Sequence, residues 1–123
     1  MNKYAPYIAA WKQRNREQYI ESEKNRHEGQ QCAMRLAEIL VAKYCVTKVI
    51  LFGSILVEGK FDERSDIDIA VEGLSGARYF EALAELMDAS RWDIDLKPIE
   101  DMKGLIRDRI MQGKTIYEKP TNS

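Results

Sequence analysis

The stretch FGSILVEGKFDERSDIDIA, residues 52–70, decides how this chain is read. An apolar run ends at Gly53–Ser54, eleven residues follow, and two aspartates then alternate with isoleucines. Side chains two apart on a strand share a face, so Asp66 and Asp68 project together while Ile67 and Ile69 point into a core. Two unpaired carboxylates side by side resist joint ionisation, and a divalent cation supplies the missing positive charge. Magnesium takes few carboxylates and completes its shell with phosphate oxygens and water. The pair therefore suits a metal held beneath a polyphosphate.

Outward from that stretch, WDIDLK (residues 92–97) repeats the pattern, with Asp93, Asp95 and Lys97 on one face. If this strand lies beside the first, one of its aspartates joins Asp66 and Asp68; alternation alone does not choose between them. Three carboxylates can hold two metals about 3.5–4 Å apart, the arrangement for in-line phosphoryl displacement. Gly53 lets the backbone turn sharply at the strand end and approach a ligand closely. If Ser54 opens a short helical turn, its hydroxyl and the following amides face a phosphate. Each piece alone is common; the succession of strand–GS, loop, D-x-D strand and second D-x-D strand is far more specific.

The remaining elements follow from periodicity. Ala33, Leu36, Ala37, Leu40, Val41 and Tyr44 predict an amphipathic helix over 32–44, and VTKVILF (46–52) predicts a buried strand. Strands are expected over 66–71 and 92–97, the latter ended by Pro98. Between them, Phe80, Leu83, Ala84 and Met87 are the expected core stripe of a helix. Asp101 is the expected cap of a last helix through Met102, Leu105, Ile106 and Ile110, stopped by Gly113, with a brief strand over 115–117. The fold class is α/β (α+β): a small mixed sheet flanked by helices. Residues 1–31 read as a helical arm, with Tyr4, Tyr7, Ile8 and Trp11 as an apolar end and nine charged side chains over 12–31. Residues 120–123 read as a disordered tail.

Bulk properties bound the function. A chain of 123 residues that is 45% hydrophobic and 32% charged describes one soluble domain with a core. A net charge of −1 argues against nucleic acid as the main ligand. No stretch reads as a membrane span or signal peptide, so a cytoplasmic protein is expected. Cys32 and Cys45, with His27 the only histidine, form neither a zinc pattern nor a disulfide framework.

Phe52–Gly53–Ser54, then Ser65–Asp66–Ile67–Asp68–Ile69, then Ile94–Asp95–Leu96, resemble the signature of the nucleotidyltransferases related to DNA polymerase β, in their minimal branch. The resemblance covers residues 33–118, and it includes the ending IRDRIMQGKTIYE. It implies a nucleotidyltransferase domain over 32–119 with Asp66, Asp68 and Asp95 as catalytic and metal-binding residues. It also implies that Gly53 and Ser54 meet the nucleotide, and Arg64 and Lys97 are the basic candidates beside them. The implied reaction is magnesium-dependent transfer of AMP from ATP, with release of pyrophosphate. Stand-alone members resemble antitoxins that modify a tyrosine on a HEPN-domain ribonuclease toxin, in a hetero-complex or homo-oligomer. The loop after Ser54 is longer than the family pattern and lacks its arginine soon after GS, reading Ile55–Leu56–Val57; Lys60 or Arg64 is the candidate replacement. That departure, with the aromatic arm, motivates an alternative: a non-catalytic module that neutralises such a toxin by masking it. Transfer to a small molecule or a polynucleotide is the remaining option.

Overall fold

The structure, a computed structural model, describes residues 3–121. The β-branched run Lys48–Phe52 (β1) pairs antiparallel with Ile67–Glu72 (β2), placing Phe52 opposite Asp68. Ile94–Pro98 (β3) runs parallel to β2, with Asp95 opposite Asp68. Lys114–Glu118 (β4) pairs antiparallel with β1, completing the sheet order β3-β2-β1-β4. Pro98 closes an edge strand, where its missing N–H leaves no ladder bond unmade.

Three helices cover this mixed sheet. The long helix Ala5–Tyr44 (α1) and Tyr79–Asp88 (α2) bury one sheet face, where Leu36, Leu40, Leu51, Ile69 and Leu86 belong to the main core. The short helix Gly104–Met111 (α3) packs on the other face, where Ile50, Phe52, Ala70, Ile99 and Ile110 form a smaller core. That core lies over β1 and the middle of β2. The start of β2 and the neighbouring part of β3 are left to carry the acidic side chains.

Several expected elements shift, each for a physical reason. The first helix extends far beyond 32–44 as one 40-residue helix, unbroken through residues 31 and 32. Its inward positions before Cys32 are Ser22, Asn25 and Gly29, polar or small residues that a search for apolar periodicity passes over. Only residues 3–21 are exposed throughout. In α2 the stripe turns by one residue: Ala82 and Leu86 are buried, while Phe80 and Met87 are exposed. Tyr79 sets this phase by donating its hydroxyl to the Leu96 carbonyl at 2.5 Å. The last helix begins at Gly104 with Lys103 at its N-cap, so Asp101 falls in the preceding 3-10 turn and caps nothing; Leu105 is exposed. Of the expected tail, residues 122 and 123 lie outside the described residues, as do residues 1 and 2 of the arm.

The loop between β1 and β2 is tied to the middle of α1. Ser22 donates to the Phe61 carbonyl at 2.7 Å, Arg26 and Gln30 donate to the Ile55 carbonyl, and the Gly59 amide donates to Glu23. Phe61 is fully buried beside Trp92, their ring centroids 5.5 Å apart. Gly29 makes room for it: a Cβ there would lie 2.7 Å from the Phe61 ring. Among the described residues no helix is long and apolar enough to cross a membrane. Cys32 is buried and Cys45 exposed, and both thiols are free.

Candidate active site

Gly53 ends β1 with φ of +83°, a conformation glycine adopts without steric cost. The backbone then enters a 3-10 turn, Gly53–Leu56, which Gly53 opens, so Ser54 is its second residue and not its first as expected. The turn lies hard against β2. A Cβ on Gly53 would sit 2.0 Å from Asp68 Oδ2, so only glycine lets the strand end and this carboxylate share the space.

Asp68 is half-buried on β2, flanked by the fully buried Ile67 and Ile69 that anchor the strand from its other face. Its register partner Asp95 projects beside it from β3, which decides between Asp93 and Asp95: Asp93 is exposed and precedes the strand. Asp66 lies just before β2, exposed, two residues from Asp68 and near enough for its charge to act on it. Burial, first, and then the charges of Asp95 and Asp66 push the Asp68 carboxyl up to about 6, helped by a hydrogen bond with Asp95. Lys97 opposes this from the same face of β3, where its ammonium pairs with Asp95 at 3.1 Å.

The chemistry of this donor set fits a hard divalent cation. Asp68 and Asp95 converge and Asp66 adds a third negative charge, a concentration of negative charge that a divalent cation would offset. Among the described residues no three His, Cys, Asp or Glu side chains close into a ready cage. Magnesium does not require one, because it is held by one or two carboxylates together with phosphate oxygens and water.

The expected basic residues separate. Lys97 stands beside Asp95, while Arg64 lies in a different groove, between the loop and α1, with Gln18, Glu21, Asn25 and Asp62. The cavity that adjoins Gly53 and Ser54, about 440 Å³, is instead lined by Lys60, Arg109, Gln112 and Gly113. Arg109 was outside the expected site, since nothing in a helical pattern marks which of its polar residues faces a neighbouring turn. The signal available was Gly113. Its Cβ would meet the Leu51 carbonyl oxygen at 2.6 Å, so the end of α3 approaches β1 closely.

A glycine-ended strand thus meets facing carboxylates on two adjacent strands. The sequence matches the family described as polymerase beta, nucleotidyltransferase over residues 35–122, and the chain belongs to that family. The fold is similar to a crystal structure of a toxin-antitoxin with AMP-PNP, at 24% identity over 70% of this chain and 73% of the other, with a TM-score of 0.59. It is also similar to the toxin-antitoxin MntA-HepT, at 23% identity over 76% of this chain and 73% of the other, with a TM-score of 0.52. No curated protein matches the sequence.

Proposed function

We propose that the chain is a magnesium-dependent nucleotidyltransferase that transfers AMP from ATP to a protein acceptor, a tyrosine of a cognate HEPN-type toxin. The observation that carries the transferase reading is the register that sets Asp95 beside Asp68, two residues from Asp66, at the strand end closed by Gly53–Ser54. The acceptor and its toxin–antitoxin setting are supported by the likeness to the MntA-HepT assembly, and the adenine nucleotide by the relative described with AMP-PNP. The cytoplasm, where ATP and free thiols coexist, is the matching compartment.

Asp66, Asp68 and Asp95 would hold the metal, which when bound neutralises charge on the nucleotide phosphates and the attacking oxygen. The Gly53–Ser54 turn brings backbone amides and the Ser54 hydroxyl toward the phosphates. Asp95 orients and deprotonates the acceptor hydroxyl, and Lys97 holds Asp95 in place through their ion pair. Incubation with α-labelled ATP, magnesium and the partner toxin is expected to label the toxin. The double change Asp66→Asn with Asp68→Asn is expected to reduce labelling to background, and label that persists in it would refute the assignment.

Masking without catalysis draws on one observation, the exposed Tyr7, Trp11 and Ile20 on the free part of α1. Cell protection separates the two readings. Under masking, the double aspartate variant still protects and removal of residues 1–20 abolishes protection; under transfer, the pattern reverses.

A further inference from the structure

The turn after β1 brings no cation to the phosphate site: Ile55 is buried, and Leu56 and Val57 follow it. The cavity against Gly53 and Ser54 holds two cations from elsewhere, Lys60 of the long loop and Arg109 in the last turn of α3. No carboxylate lines that cavity. Several basic side chains elsewhere are engaged: Lys97 pairs with Asp95, Arg26 with Glu23, Arg91 with Glu28, and Arg107 donates to the Ile99 carbonyl; Arg64, Lys103 and Lys114 are as unpaired as Lys60 and Arg109 but do not line this cavity. Among the described residues, Lys60 and Arg109 make no ion pair and no side-chain hydrogen bond. Two unpaired cations beside a glycine turn, with no acid among them, form a site for a multiply charged anion.

We propose that Lys60 and Arg109 hold the triphosphate tail of the nucleotide donor, taking the place of a cation in the Gly53–Ser54 turn. This rests on the transferase reading of the same site. Placement supports it, since α3 packs on the sheet face that carries Asp68 and Asp95. A polyphosphate there spans the two halves, its oxygens toward Arg109 on one side and toward the carboxylates on the other. Arg109 presents a planar fork that binds phosphate through two parallel N–H donors, whereas Lys60 acts as a point charge on a flexible four-carbon stem. The arginine is therefore the stronger contact.

Inorganic tripolyphosphate, titrated calorimetrically into the metal-free full chain, tests this without any transfer reaction. Arg109→Gln is expected to weaken binding about tenfold and Lys60→Gln about threefold, as expected for lost charge-assisted contacts. Arg109→Lys falls between wild type and Arg109→Gln, and Lys103→Gln at the far end of α3 stays at wild-type affinity. The proposal is overturned if wild type fails to bind tripolyphosphate, if Arg109→Gln binds within twofold of wild type, or if Arg64→Gln is the weaker binder. Failure of the transferase reading looks different: Arg109-dependent binding persists while no toxin is labelled.

Discussion

Asp68→Asn is expected to make the metal-free protein more stable and the enzyme inactive. Asp68 is half-buried beside Asp95 and near Asp66, and its carboxyl is raised to about 6. A raised carboxyl means that the folded state favours the protonated form, so folding carries a penalty above pH 6 that fades as pH falls toward 4. Asparagine keeps the shape and removes the charge. With solvent screening allowed for at a half-exposed group, the gain at pH 7.5 is about 1 kcal/mol, or about 4 °C in melting temperature. The difference between variant and wild type should shrink through pH 5 and vanish near pH 4. Millimolar magnesium should reverse the order by raising the wild-type midpoint alone, since binding to the native state stabilises it. Transfer by the variant is expected to fall at least about 10³-fold, from the loss of a carboxylate proposed to hold the metal. Thermal scans across pH, with and without magnesium, check the first part; a variant less stable than wild type at pH 7.5 without metal contradicts it.

Gly53→Ala should lose both stability and activity, the contrasting outcome. An alanine held at φ of +83° costs about 1–2 kcal/mol in backbone conformation alone. Its Cβ would also stand 2.0 Å from Asp68 Oδ2, so the carboxylate must swing away from Asp95 or the strand end must move. A drop of about 4–8 °C in melting temperature is expected. Displacing a reacting group by about 1 Å is enough for a loss of about 10²-fold in rate. Circular dichroism melting and the toxin-labelling assay measure the two effects. Wild-type labelling by a folded Gly53→Ala protein would show that Asp68 does not need its present position.

These two residues were legible from the sequence because they obey rules with a short reach. Period two puts Asp66 and Asp68 on one face, and a glycine at a strand end announces a turn. The choice of Asp95 over Asp93 was not legible by alternation, since it depends on which residue of β3 stands opposite Asp68, a matter of register between distant strands. Helix phase was lost for a similar reason. Tyr79, Ala82, Leu83 and Leu86 fit the helical spacing as well as Phe80, Leu83, Ala84 and Met87 do, and a hydroxyl contact with β3 settles which set faces inward. The helical arm was legible, but its continuity with the helix over 32–44 and its packing from residue 22 were not, because the inner face from residue 22 to 30 works through polar contacts and a missing side chain. Arg109 could not be assigned without knowing that α3 folds back onto the carboxylate-bearing face of the sheet.

The ties between α1 and the long loop carry a consequence for how this protein can vary. Ser22 meets Phe61 across thirty-nine positions of sequence, and Gln30 meets Ile55 across twenty-five. One residue inserted within 23–29 turns Ser22 by about 100° and carries it about 1.5 Å along the helix axis, away from the Phe61 carbonyl. A change in loop length does the same from the other side. The two segments are therefore bound to drift together, a lengthened loop surviving only where the helix has grown a matching turn. The contact reaches one turn further out, where Tyr19 hydrogen-bonds with Glu58 of the same loop, so that turn of the helix shares the obligation.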